Sequence, residues 1–336
     1  MRRTSVSSEA PNTGLPGRPP LGDILCKEDP LGAQSRYVSD LLKDSAAYPA
    51  DVMNQELLYH FKLSQFTDFM SRFEKPAIGF SLTQTVGEFA SRSKLGGRPL
   101  LTENFVWPRS KKRVLDFVLQ IDLAELARFT PSDDLPSSGL LTFFYDLENQ
   151  PWGYDPAELD GFRVEFVDEN SLVPHELPSM DHALREHTLL FHQAMTLPQF
   201  GSRAYDELNR ESGMSNNEAD RYFDFLAAYE SRYYPAGKVA SAHRLFGHAA
   251  NIQGDMQLEA QLVTNGLYCG DPSGYHDPRA KELESGADDW VLLLQLDSDD
   301  HADLMWGDAG MLYYWIRSAD LAALRFDRTW MTLQCC

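Results

Sequence analysis

The chain has 336 residues, of which 43% are hydrophobic and 12% aromatic, and its 30 basic against 50 acidic side chains give a net charge of −20. Such a charge opposes phosphate neutralisation over a broad surface and excludes nucleic acid as an expected partner. The apolar residues are too interrupted for a membrane span of roughly 18 residues, and the Thr-Ser-Val-Ser-Ser run after Arg3 is not the apolar core of a secretory signal.

Residues 1–32, rich in Ser, Pro and Gly, bury too little surface to offset chain ordering and read as a disordered tail. A helical N-terminal segment follows over 33–75. It holds one helix over 33–47 and a longer one from Asp51 to Phe73, where Leu57, Leu58, Phe61, Phe66, Met70 and Phe73 recur at helical spacing before Lys75-Pro76 stops it. From Ala77, short apolar runs bounded by turn residues predict strands at Val114–Ile121, Gly139–Tyr145, Phe162–Val167 and Thr188–Met195. A helix over Asn217–Tyr234 interrupts them, and strands resume at Trp290–Leu296, Met311–Ile316 and Thr329–Leu333. The cluster Arg109, Lys111, Lys112 and Arg113 reads as a solvated basic loop. Acidity gathers late: residues 281–310 hold Glu282, Glu284, Asp288, Asp289, Asp297, Asp299, Asp300, Asp303 and Asp308 against Lys281 alone. Cys26, Cys269, Cys335 and Cys336 form no CxxC pair, which fits reduced thiols in a cytoplasmic protein.

One pattern occurs twice. Phe117-Val118-Leu119-Gln120-Ile121-Asp122 is echoed by Leu292-Leu293-Leu294-Gln295-Leu296-Asp297, and each is followed by a glycine, Gly139 or Gly310, that opens an aromatic strand. Two copies are too few for a solenoid, so residues 76–336 are expected to form an α+β domain of duplicated antiparallel β units packed together, with peripheral helices.

Several strings carry a family resemblance. Ser93-Lys94-Leu95-Gly96-Gly97-Arg98-Pro99, Trp107-Pro108, the Leu-Gln-Ile-Asp-Leu string ending at Leu123, His243 to Gln253, and Leu294 to Gly310 together resemble the YwqG-like family of bacterial proteins of unknown function, over roughly residues 75–334. The chain departs from the family pattern at Leu101-Thr102 and at Gly247-His248-Ala249. The resemblance implies an α+β fold with duplicated sheets, supplies no catalytic residues, and suggests by association an immunity or binding role.

Gln120 and Gln295, polar within apolar strands, must each find hydrogen-bond partners, either in a neighbouring turn or across a shared cleft. Asp122, with Glu125 three residues on, suits a helix cap. Asp297, Asp299, His301, Asp303 and Asp308 fall at the oxygen-donor positions of a loop for Ca²⁺ or Mg²⁺, although Ala302 stands where such a loop turns on glycine, and a solvated acidic loop is the competing reading. Lys94 to Pro99 suits an anion cradle or a tight turn. Trp306, between Met305 and Gly307, is expected to be partly exposed as a binding anchor. His182, His187 and His192 lack metal-ligand spacing, and His243 is a candidate neighbour of Gln253. The sequence contains no GxSxG, P-loop, GxGxxG or HExxH.

Two functions follow as expectations. The first is a non-enzymatic interaction protein whose acidic segment 281–310 engages a basic protein partner, such as a toxin or effector. The alternative is a small-molecule or divalent-metal-dependent enzyme with a cleft between the repeats, lined by Lys94, Gln120, Gln253, Gln295 and Asp308.

Overall fold

The computed structural model describes residues 50–84, 91–111, 113–129, 135–168, 172–233 and 241–336. The expected tail and the helix over 33–47 lie outside the described residues. No helix among the described residues is long and apolar enough to cross a membrane.

The described residues begin with helices α1 (Ala50–His60) and α2 (Thr67–Phe73), then strands β1 (Lys75–Gln84), β2 (Lys94–Leu95), β3 (Leu100–Thr102), β4 (Asp116–Asp122), β5 (Leu140–Tyr145), β6 (Phe162–Val167), β7 (Leu172–Pro174) and β8 (His187–Thr196). Helices α3 (Arg203–Ser212) and α4 (Asn216–Ser231), β9 (Arg244–Phe246), α5 (Met256–Thr264), β10 (Trp290–Asp297), β11 (Met311–Arg317) and β12 (Trp330–Gln334) complete it. The helix expected over Asp51–Phe73 is thus two. Lys62 adopts φ 56° and Leu63 N–H donates back to Leu58 C=O at 2.8 Å, a glycine-type C-cap closed without glycine.

Ten strands form one antiparallel sheet in the order β12-β11-β10-β9-β1-β8-β2-β4-β5-β6, and β3 pairs with β7 in a separate ribbon. The sheet curls until its two ends meet. Phe162 of β6 and Trp330 of β12 pack edge to face at 5.2 Å, Leu333 N–H donates to Trp152 C=O, and Phe143 and Tyr314 touch between β5 and β11. The apolar faces of β4, β5, β10 and β11 line the resulting main core. A second core packs α1, α2, α3 and α4 against one another through Leu57, Phe61, Tyr222, Phe225 and Tyr229. Ser215 and Glu218 close a capping box at the start of α4.

The strand order reads the same outward from the β1/β8 pair in both directions. Similar bonds also recur on the two sides of that pair. Gln120 accepts from Leu100 N–H (2.8 Å) and donates to Arg92 C=O (2.9 Å), while Gln295 accepts from Ala250 N–H (2.8 Å) and donates to Ala242 C=O (2.5 Å). Lys94 is registered opposite Gln120, and Arg244 opposite Gln295. The β4/β5 ladder slips between Phe117 and Leu119, and the β10/β11 ladder between Leu292 and Leu294. Gly97 (φ 68°) and Gly247 (φ 73°) both take the left-handed backbone that favours glycine, and a Cβ on either would strike a neighbour within 2.5 Å.

Candidate functional site

The sequence-predicted residues do not converge on one cleft. Gln120 and Gln295 are fully buried, and each accepts from one backbone N–H and donates to one backbone C=O of the turns beside it. Lys94 is buried and ion-paired to Glu186 at 3.1 Å. Gly96 N–H and Gly97 N–H donate to Val118 C=O and Leu184 C=O, which makes the Lys94–Pro99 segment a turn whose amides are already used. Gln253 donates from its side chain to Cys335 C=O at 3.0 Å, and the Asp308 side chain is exposed. Trp306 corrects an expectation: it is 1% exposed, with its indole N–H on Asp297 C=O, because the acidic loop folds back onto the end of β10.

Within the Asp297–Asp308 loop, the Asp297 and Asp299 carboxylates bond backbone N–H groups. Asp297 accepts from Ala242 N–H at 2.7 Å. Asp299 accepts from Ser241 Oγ, His301 N–H and Ala302 N–H, and His243 Nε2 lies 3.4 Å from it. Those bonds, the one from His243 first, hold the Asp299 carboxyl below the usual range. His243 therefore sits beside Asp299, where its Nδ1 accepts from Asp297 N–H. Asp303 and Asp308 are exposed. Among the described residues no three His, Cys, Asp or Glu side chains are gathered to hold a metal ion. Asp122 caps its helical turn through Ala124 N–H, but Glu125 bonds Ser91 and does not close the capping box. Arg113 is no solvated loop residue, since its guanidinium is held by Asp116 and Asp146.

A different site is present that no motif announced. A cavity of about 320 Å³ opens between the start of β1, the turn after β9, the N-terminus of α5 and the outer ends of β10 and β11. Trp290, Leu292 and Trp315 form its apolar wall, and Lys75, His248, Asp255 and Asp288 bring polar groups to it. Phe246, on the rim, is held at φ 61°, a left-handed conformation that a bulky side chain rarely takes. On the other side of the β1/β8 pair, Gly96 takes a similar φ of 60°. Strain of this kind persists only where its surroundings over-determine it.

The cavity perturbs its titratable groups. Burial, reinforced by Lys75, pushes the His248 imidazole down to about 3, and the ring stays neutral with Nε2 on Phe73 C=O at 2.7 Å. Burial pushes Asp255 up to about 6 although its carboxylate caps α5 through Gln257 N–H and Leu258 N–H. Lys75 is shifted down by burial, and its ammonium has no ion-pair partner among the described residues. Arg203 holds the acidic rim together, 2.9 Å from Asp288, 3.6 Å from Glu284 and 3.9 Å from Asp255.

These shifts act on stability with opposite signs. Between its folded value and roughly 6.5, His248 is protonated only in the unfolded chain, so its contribution is complete above that range and is lost as pH falls. Asp255 binds its proton more tightly when folded, so its contribution is present at low pH and is lost as pH rises from roughly 4 through 6. Asp255→Asn keeps the cap and removes the second effect. Its stability relative to the parent is expected to improve by about 2–3 kcal/mol from pH 4 to pH 7, measured by urea titration. A pH-independent difference would refute the assignment.

A family model described as a domain of unknown function, DUF1963, matches residues 93–335. The match starts at Ser93, beyond β1, although β1 lies at the middle of the sheet. No curated protein matches the chain.

Proposed function

The chain belongs to the DUF1963 family, and from that premise we propose that it is a non-enzymatic recognition protein that binds a basic protein partner, such as a toxin or effector, at the cavity beside α5. The observation that carries this reading is the juxtaposition of that cavity with an acidic rim. Glu284, Asp288 and Asp289 are exposed beside it, and Arg203 is the cation that faces Glu284 and Asp288. The acidic segment 281–310 is divided by β10, an eight-residue strand, into this rim and a second patch at Asp300, Asp303 and Asp308, roughly 25 Å apart. Each patch adjoins a cavity, the first the one of about 320 Å³ and the second, at Asp303, one of about 270 Å³, and the first is chosen because its acidic rim stands beside the apolar wall of Trp290, Leu292 and Trp315.

The test is charge reversal at each end of β10. A basic partner co-purified with the parent chain is expected to be lost on Glu284→Lys with Asp288→Lys and Asp289→Lys, and kept on Asp300→Lys with Asp303→Lys. Retention through the first set refutes the reading. The alternative, a small-molecule enzyme working in the same cavity, is favoured by Asp255 titrating near neutrality beside a neutral His248. Thermal-shift screening with metabolites and divalent metals separates the two.

The strings at Ser93–Pro99, His243–Gln253 and Leu294–Gly310 support placing the chain among the YwqG-like proteins. The sheet is read as two copies of one unit related about the β1/β8 pair. The mirrored strand order, the paired glutamine bonds, the paired ladder slips and the Gly97/Gly247 turns support that reading.

A further inference from the structure

We propose that the cavity receives one aromatic side chain from an extended basic segment of the partner, in the place that Phe105 and Trp107 fill on the other half of the sheet. This deepens the recognition role above and rests on it and on the two-copy reading. Aligning Gln120 with Gln295 and Gly139 with Gly310 brings Leu115 and Phe117 onto Trp290 and Leu292, and Phe144 onto Trp315. The two halves treat these equivalent positions differently.

In the N-terminal half the chain supplies its own plug. Phe105 stacks on Phe144 at 5.7 Å with 16° between planes, Trp107 meets the same ring edge to face at 5.5 Å, and Leu101, Leu115, Phe117 and Leu177 close around them. The space left there, against Leu115 and Phe117, is about 20 Å³. In the C-terminal half, the segment between β9 and β10 runs instead into α5, and among the described residues no ring is paired with Trp315 as Phe105 and Trp107 are with Phe144. The cavity of about 320 Å³ is what remains. An aromatic ring offered from outside would find the surface that Phe105 and Trp107 already use in the same molecule, and buried rings of this kind dominate interface energetics.

The polar groups fit an extended peptide around that ring. Trp315 is 4% exposed and its indole N–H is buried without an acceptor among the described residues, and Lys75, with no ion-pair partner among the described residues, lines the same cavity. Both suit peptide carbonyls. The exposed carboxylates of Glu284, Asp288 and Asp289 suit basic residues flanking the ring.

The test uses the full chain and two capped peptides, one with a tryptophan between pairs of arginines and one with alanine in its place, titrated calorimetrically. The tryptophan peptide is expected to bind about tenfold or more tightly than the alanine peptide. That preference should shrink in Leu292→Phe, which copies Phe117 and narrows the cavity, and also in Lys75→Ala, whose side chain lines the cavity. Equal binding of both peptides, abolished by charge reversal at Glu284 and Asp288, overturns the aromatic anchor and leaves the basic-partner role standing. Binding of neither overturns both.

Discussion

Replacing Arg244 by methionine is expected to destabilise the fold by about 3–5 kcal/mol, the range found when one member of a buried ion pair is removed. Arg244 is 2% exposed on β9, the short strand between β1 and β10, and its two terminal nitrogens reach the two oxygens of Glu230 at 3.1 and 3.2 Å. Glu230 sits near the end of α4, so this pair joins the helical layer to the centre of the sheet. Without Arg244, the Glu230 carboxylate keeps, among the described residues, the bond from Gln199 Nε2 in a site where it is 8% exposed. The double variant Arg244→Met with Glu230→Leu removes both charges and is expected to recover most of the loss, because desolvation of the pair offsets much of its attraction. Urea unfolding of the two variants decides it. If the single variant lost less than about 1 kcal/mol, or the double variant lost as much as the single, the pair would not have this role.

Much of this architecture is written locally. The long strands β4, β5, β6, β8, β10, β11 and β12 were readable because runs such as Leu140–Tyr145 and Met311–Ile316 are apolar, aromatic and bounded by turn residues. β2 and β9 were not, since strands of two or three residues carry no periodicity and exist only through the neighbours they pair with. α3 hides for another reason, with Tyr205 and Leu208 the only side chains it buries. Trp306 misled because Met305, Gly307 and Asp308 describe an exposed loop, and nothing local reveals that the loop turns its indole back onto Asp297. The cavity was illegible on principle. Its walls come from β1, the turn after β9, α5, β10 and β11, which meet only once the sheet has curled. The one local signal was Asp255 ahead of Met256-Gln257-Leu258, a helix cap that marks where α5 begins.

Gln120→Leu and Gln295→Leu are each expected to cost about 2–4 kcal/mol, by one mechanism acting twice. Leucine fills the space but removes the bonds that the amide makes to a backbone N–H and a backbone C=O: Leu100 and Arg92 in the first case, Ala250 and Ala242 in the second. Both glutamines have 0% exposure, so water does not replace the lost bonds without opening the sheet. Glutamate in place of Gln120 is expected to do no better, since it still accepts from Leu100 N–H but no longer donates to Arg92 C=O and brings a charge into an apolar site. Because the two amides secure separate turns, the double leucine variant should approach the sum of the singles. Equal costs would mean that each half of the sheet depends on its own amide clamp, as two copies of one unit would. A cost confined to Gln295, with Gln120→Leu within about 0.5 kcal/mol of the parent, would mean that only one half uses the clamp, and the inferred equivalence of the halves would fail with it.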